Sequence, residues 1–152
     1  MFNRFSIVMA GALILAAASI SVAGPKPTLD FAFFKDRVEP IFLEKRSGHT
    51  RCYVCHAEAN NAFRLEKLKP GQPQWALEQS RHNFEVVSKL VTPGDPSTSR
   101  LLLHPLAPEG GGDAFHSGGR QFATRDDPAW KAIAQWVNGE QLQPGPDQGA
   151  QR

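Results

Sequence analysis

A chain of 152 residues, 41% of them hydrophobic, is long enough for one domain with a moderate core. Its 17 Lys and Arg stand against 15 Asp and Glu, a formal charge of only +2. That balance argues against nucleic acid or an anionic membrane surface as the partner, and it names no other.

Residues 1–23 read as a secretory signal peptide. Arg4 supplies the positive start, Phe5 to Ile20 the apolar run, and Ser21-Val22-Ala23 the small residues for cleavage after Ala23. The run is short for a membrane span, which takes roughly 20 residues. An uncleaved anchor is the alternative. No later segment is apolar enough to cross a bilayer. The expected location is the periplasm or another exported compartment, with no membrane span once the leader is removed.

Residues 24–140 are expected to form the domain. Gly24 to Thr28 is an extended lead-in, and Asp30 can cap a first helix. Phe31, Phe34, Val38, Ile41 and Phe42 follow at helical spacing. Pro40 lacks an N–H and should bend or end that helix. Lys45 to Arg51 is a basic connector with a Gly turn, and Cys52 to His56 forms the next helix. Ala57 to Pro73 is mostly loop.

Gln74 to Val91 reads as a long helix, with Trp75 at its start and Leu77, Ser80, Phe84, Val87 and Val91 on one face. Thr92-Pro93-Gly94 stops it. Asp95-Pro96 should open a short helix that carries Leu101, Leu102 and Leu103 and ends near His104-Pro105. Ala107 to Thr124 is a Gly-rich loop whose length marks it as functional. Asp127-Pro128 opens the last helix, Trp130, Ile133, Trp136 and Val137 form its inner stripe, and Gly139 closes it. Residues 141–152 read as a disordered tail. The fold class expected is all-α with long ordered loops.

Both cysteines of the chain lie in Cys52-Tyr53-Val54-Cys55-His56, the C-x-x-C-H attachment pattern for a c-type haem. On a helix the three side chains share one face. Two thiols then add to the two vinyl groups of one porphyrin, while His56 reaches the iron as proximal ligand. A zinc site would need further ligands, and the chain has no second cysteine pair. A thiol–disulfide enzyme would need a βαβ pattern where this chain has helices and loops. Export also suits haem c attachment. One motif implies one covalent haem.

The distal ligand is open at this level. Met1 and Met9 are the only methionines and both belong to the leader. Of the remaining histidines, His82 turns away from its helix's apolar stripe and His49 starts on the proximal side. His104 precedes Pro105. His116 lies where flanking glycines let backbone approach a flat ring. His116 is the favoured distal ligand, His104 the alternative, and an open site the third choice. Phe34, Phe115, Phe122, Trp130 and Trp136 are candidate haem walls. Arg51, Arg64, Arg100 and Arg120 are candidate propionate partners, with Arg120 favoured by its place in the distal loop.

From about residue 31 to 138 the chain resembles small bacterial monohaem class I-like c-type cytochromes, most nearly the planctomycete-type cytochrome c domain group. The resemblance is carried by Phe34 to Phe42 (F-x-x-x-V-x-P-I-F), CYVCH, Pro93-Gly94-Asp95-Pro96 with Ser99 and Leu101-Leu102, and Trp136-Val137-Asn138-Gly139. It implies a small class I-like fold with long ordered loops around one haem. Such domains carry an iron-binding Met between the last two of these motifs. His116-Ser117-Gly118-Gly119 fills that slot here, which implies that His116 takes the Met's place and puts the usual high potential in doubt.

The expected function is that of an electron carrier, not an enzyme, passing single electrons between redox partner proteins or serving as the redox subunit of a larger oxidoreductase. Two strong axial ligands leave the iron no vacancy for substrate. The alternative is a haem enzyme or gas sensor with an open or displaceable distal site. A third reading, an exported disulfide-containing interaction domain, requires that no haem be bound.

Overall fold

A computed structural model describes residues 24–143; the leader and residues 144–152 of the expected tail lie outside it. The described residues form an all-α fold. They contain helices and long irregular segments, and only isolated bridges, Thr92 to Asp95 and Leu106 to Phe122, in place of strands. No helix among them is long and apolar enough to cross a membrane.

The first helix, α1, runs unbroken through three pieces: Phe31–Phe33, a π turn at Phe34–Val38, and Glu39–Leu43. Asp30 caps it, its carboxylate accepting the Phe33 N–H at 2.5 Å. Pro40 does not end this helix. The π turn just before it loosens the ladder where the proline ring would crowd the preceding turn, so the helix carries on past a residue with no N–H to donate. Phe34, Val38, Ile41 and Phe42 are buried as the spacing predicts, joined by Phe33.

Glu39 is buried as well, at 5% exposure. Its carboxyl accepts from Ser80 Oγ at 2.7 Å and from Asn83 Nδ2 at 3.0 Å. Asn83 Oδ1 in turn accepts the Glu66 N–H at 2.8 Å. Burial pushes the Glu39 carboxyl above its ordinary value; Asn83, Ser80 and the Lys35 charge pull the other way.

These donors explain the orientation of the long helix α3, Leu77–Ser88, which follows the short α2, Cys52–His56. Its inner face is centred on Ser80, Asn83 and Val87, all fully buried, whereas Leu77 is 49% exposed. The helix ends three residues before Val91. The expected stripe was therefore too apolar, because the face answers a buried carboxyl on α1. Phe84 is half-buried, with its ring 5.5 Å from both Phe31 and Phe34. Trp75 is buried and donates Nε1–H to the Glu66 carbonyl at 2.7 Å.

Helix α4, Arg100–Leu103, starts later than Asp95-Pro96 suggests, with Ser99 as the residue before it. Asp95 instead closes a turn, accepting from the Ser97 N–H at 2.9 Å and Thr98 Oγ1 at 2.9 Å. The fully buried Ser99 hydroxyl donates to the Asp95 carbonyl and accepts the Thr92 N–H. A 3₁₀ turn, Pro108–Gly110, opens the Gly-rich loop.

The last helix, α5, is Pro128–Val137. Asp127 caps it, accepting from the Ala129 N–H at 2.9 Å and the Trp130 N–H at 3.3 Å. Trp130, Ile133, Trp136 and Val137 are buried, as expected. Trp136 donates Nε1–H to the Asp30 carbonyl at 3.0 Å, so the last helix is tied to the start of the first. Gly139 sits at φ 83°, and a Cβ there would come within 2.5 Å of Pro27. Leu142, in the segment read as tail, is half-buried against the core.

Candidate functional site

Helix α2 presents Cys52, Cys55 and His56, and its own fixing comes from Tyr53. The Tyr53 hydroxyl accepts the Leu68 N–H at 3.0 Å, and its ring meets Trp75 edge-on at 5.7 Å. Cys52 is half-buried and Cys55 exposed, both as free thiols. Burial pushes the Cys52 thiol up to about 11. His56 Nδ1 lies 2.8 Å from the Phe63 carbonyl, and its ring packs on Phe63 at 4.2 Å. Burial pulls the His56 imidazole below its ordinary value against the Phe63 carbonyl's pull upward, and His116 and His104 add to the fall. The imidazole is thus held neutral with its proton on Nδ1, leaving the Nε2 lone pair for a metal.

Above α2 lies a cavity of about 500 Å³. Cys52, Cys55 and His56 line it together with His104 and His116. Ile41, Phe42, Phe63, Leu101 and Phe122 contribute apolar wall. A space of this size, with apolar walls and with histidines, thiols and arginines converging on it, suits a cofactor.

His56 and His116 stand with ring centres 6.4 Å apart and ring planes 13° from parallel. His116 Nδ1 lies 2.6 Å from the Gly119 carbonyl, and the Gly119 N–H returns to the His116 carbonyl at 3.0 Å. Glycines are needed there: Gly119 has φ 80°, and a Cβ on Gly118 would sit 3.0 Å from His116 Cε1. His104 follows α4 directly. Its Nδ1 is 2.7 Å from Asp113 Oδ2, and its ring meets His116 edge-on at 4.8 Å. Asp113 also lies 3.7 Å from Arg100 Nη1.

The five motif and histidine residues expected at the site, Cys52, Cys55, His56, His104 and His116, therefore share one cavity. Arg120 does not line it. Its guanidinium donates to the Ala114 carbonyl, and Nη1 is buried with no hydrogen-bond partner among the described residues. Arg51 and Arg100 line the cavity instead. Of the aromatic candidates only Phe122 is on the wall. Phe34, Trp130 and Trp136 belong to the core, and Phe115 is 71% exposed. His82 is exposed and 3.5 Å from Glu66, as its helical phase requires, and His49 lies away from the cavity.

Sequence reading missed Phe63 and Asp113. Phe63 gave no signal, because its carbonyl does the work. Asp113 had one, a carboxylate following three glycines in a loop already marked as functional.

No family model, no characterised protein and no solved structure matches this chain.

Proposed function

We propose that the protein is an exported monohaem c-type cytochrome that carries single electrons through a covalently bound haem with His56 and His116 as axial ligands. The observation that carries this reading is the pairing of the two histidines across a cavity whose edge holds both thiols of CYVCH. Two imidazoles bound end-on to one metal, each at about 2 Å, place their ring centres about 6 Å apart. The 6.4 Å observed fits that requirement.

Haem supplies a one-electron ferric–ferrous couple. The chain's own residues do the rest. Cys52 and Cys55 would hold the ring, each adding S–H across one vinyl group to give a thioether. The Phe63 and Gly119 carbonyls fix the tautomer of each axial histidine and raise its basicity. Ile41, Phe42 and Leu101 line the cavity and would keep water from the ring. The guanidinium groups of Arg51 and Arg100 stand at the cavity, where they would pair with the propionates. The high Cys52 thiol opposes the rival thiol–disulfide reading, since an exchanging nucleophile needs its thiolate stabilised. The resemblance to small class I-like cytochromes, including the planctomycete-type group, points to the same fold and role, with export by the leader.

The second reading, a haem enzyme or gas sensor, is favoured by one observation: His116 rides on a glycine turn, not on a helix. The deciding experiment is expression with the haem c attachment machinery. A denaturing gel should keep the haem stain, and the ferric protein at neutral pH should be low-spin and bind cyanide slowly. Rapid cyanide binding or a high-spin ferric spectrum refutes the carrier; a gel without stain refutes haem altogether.

A further inference from the structure

We propose that the distal side holds two interchangeable iron ligands: His116 as the resting one and His104 as a reserve that takes the iron when His116 leaves. The inference rests on the haem reading above.

Four observations carry it. Both rings line the cavity that His56 lines from the motif side, and they touch edge-on at 4.8 Å, less than the width of a porphyrin. Each has Nδ1 on an oxygen acceptor, 2.6 Å for His116 and 2.7 Å for His104. Each therefore keeps its proton on Nδ1 and offers Nε2 to a metal. Their supports differ. His116 is held by its own turn, through two bonds with Gly119, and the turn is tied on by Gln121 Nε2, which donates to the Gly118 carbonyl at 3.2 Å and the Thr50 carbonyl at 3.1 Å. His104 is fixed to the scaffold, with its N–H on the Arg100 carbonyl at 3.0 Å and its Asp113 partner anchored by an N–H to the Leu103 carbonyl at 3.1 Å. A ligand carried on a glycine turn, beside one at a helix end with the same free lone pair, is the arrangement that ligand exchange needs.

The two are not equivalent once bound. A carboxylate behind His104 makes its imidazole a stronger donor than the neutral Gly119 carbonyl makes His116. Iron held by His56 and His104 should therefore favour the ferric state more than iron held by His56 and His116. Asp113 is a positioning residue in this scheme, acting through His104.

The test compares haem-loaded wild type, His104→Ala, His116→Ala and the double variant, by ferric absorption and EPR spectra and by redox titration. Each single variant should remain low-spin, and only the double variant should turn high-spin. His116→Ala should have a lower potential than His104→Ala, and Asp113→Asn added to His116→Ala should raise it. A high-spin His116→Ala that free imidazole returns to low-spin overturns the proposal, because the site is then intact and His104 does not reach it. A double variant that stays low-spin overturns it too. If His116→Ala does not mature, His116→Leu is read in the same way. A wild type without covalent haem would sink the haem reading itself, a separate outcome.

Discussion

His56 and His116, 60 positions apart in the chain, lie with ring centres 6.4 Å apart and planes within 13°. Their Nδ1 atoms are both on carbonyl oxygens, so each ring keeps its proton there and leaves Nε2 free.

The thiols should be separable by chemistry. On the haem reading, Cys52→Ala and Cys55→Ala should each leave one thioether, and both should keep stain on a denaturing gel with a shifted ferrous absorption band. The double variant should lose the stain. Stain in the double variant would mean attachment elsewhere.

Gly119→Ala forces a Cβ into φ 80° in the turn that holds His116. The cost should be about 1 kcal/mol. Its effect should fall on the turn more than on the core. Cyanide should then bind faster than to wild type, with a drop of only a few degrees in Tm. An unchanged cyanide rate would show that this turn does not hold the ligand.

Glu39→Ala should cost about 3 kcal/mol, because Ser80 and Asn83 lose their acceptor in the core. Glu39→Gln carries a pH signature. Burial sets the folded-state value of Glu39 above its ordinary 4.5, so in that window the folded state holds more protons than the unfolded one. The contribution of Glu39 is full below 4.5 and is lost as pH rises through the folded value. The stability gap between wild type and Glu39→Gln should therefore narrow from acid toward neutral pH in urea titrations. A widening gap contradicts the assignment.

Asp127 has two jobs that substitutions can divide. It caps α5 and pairs with Arg46, whose guanidinium lies over the Phe122 ring at 5.1 Å. Asp127→Asn keeps a capping side chain and loses the charge; Asp127→Ala loses both. The alanine variant should be less stable than the asparagine one by about 1 kcal/mol in chemical unfolding.

Much of this was legible in the sequence because it is local. Asp30 and Asp127 announce their helices, the stripe of α5 is buried as spaced, and CYVCH forms the expected turn of helix. The losses have one cause. Glu39 sits among apolar neighbours, and nothing nearby in the chain says that Ser80 and Asn83 will satisfy it. On α3 the expected face holds at Ser80, Phe84 and Val87, but Leu77 is exposed and Asn83 is buried for the same reason. Asp95-Pro96 looks like a helix start, but Ser99 takes that role because its hydroxyl bridges the turn to Thr92. At the site, the histidines were found and their supports were not: a carbonyl such as that of Phe63 has no residue signature.

The hydrogen bond from Trp136 to the Asp30 carbonyl spans 106 positions. Asp30 caps α1 locally, but the tertiary tie at that end waits for α5, and closing so long a loop comes late and slowly. A chain emerging from the ribosome has no finished amino-terminal half to lock early. It should therefore fold as one unit only when α5 is present.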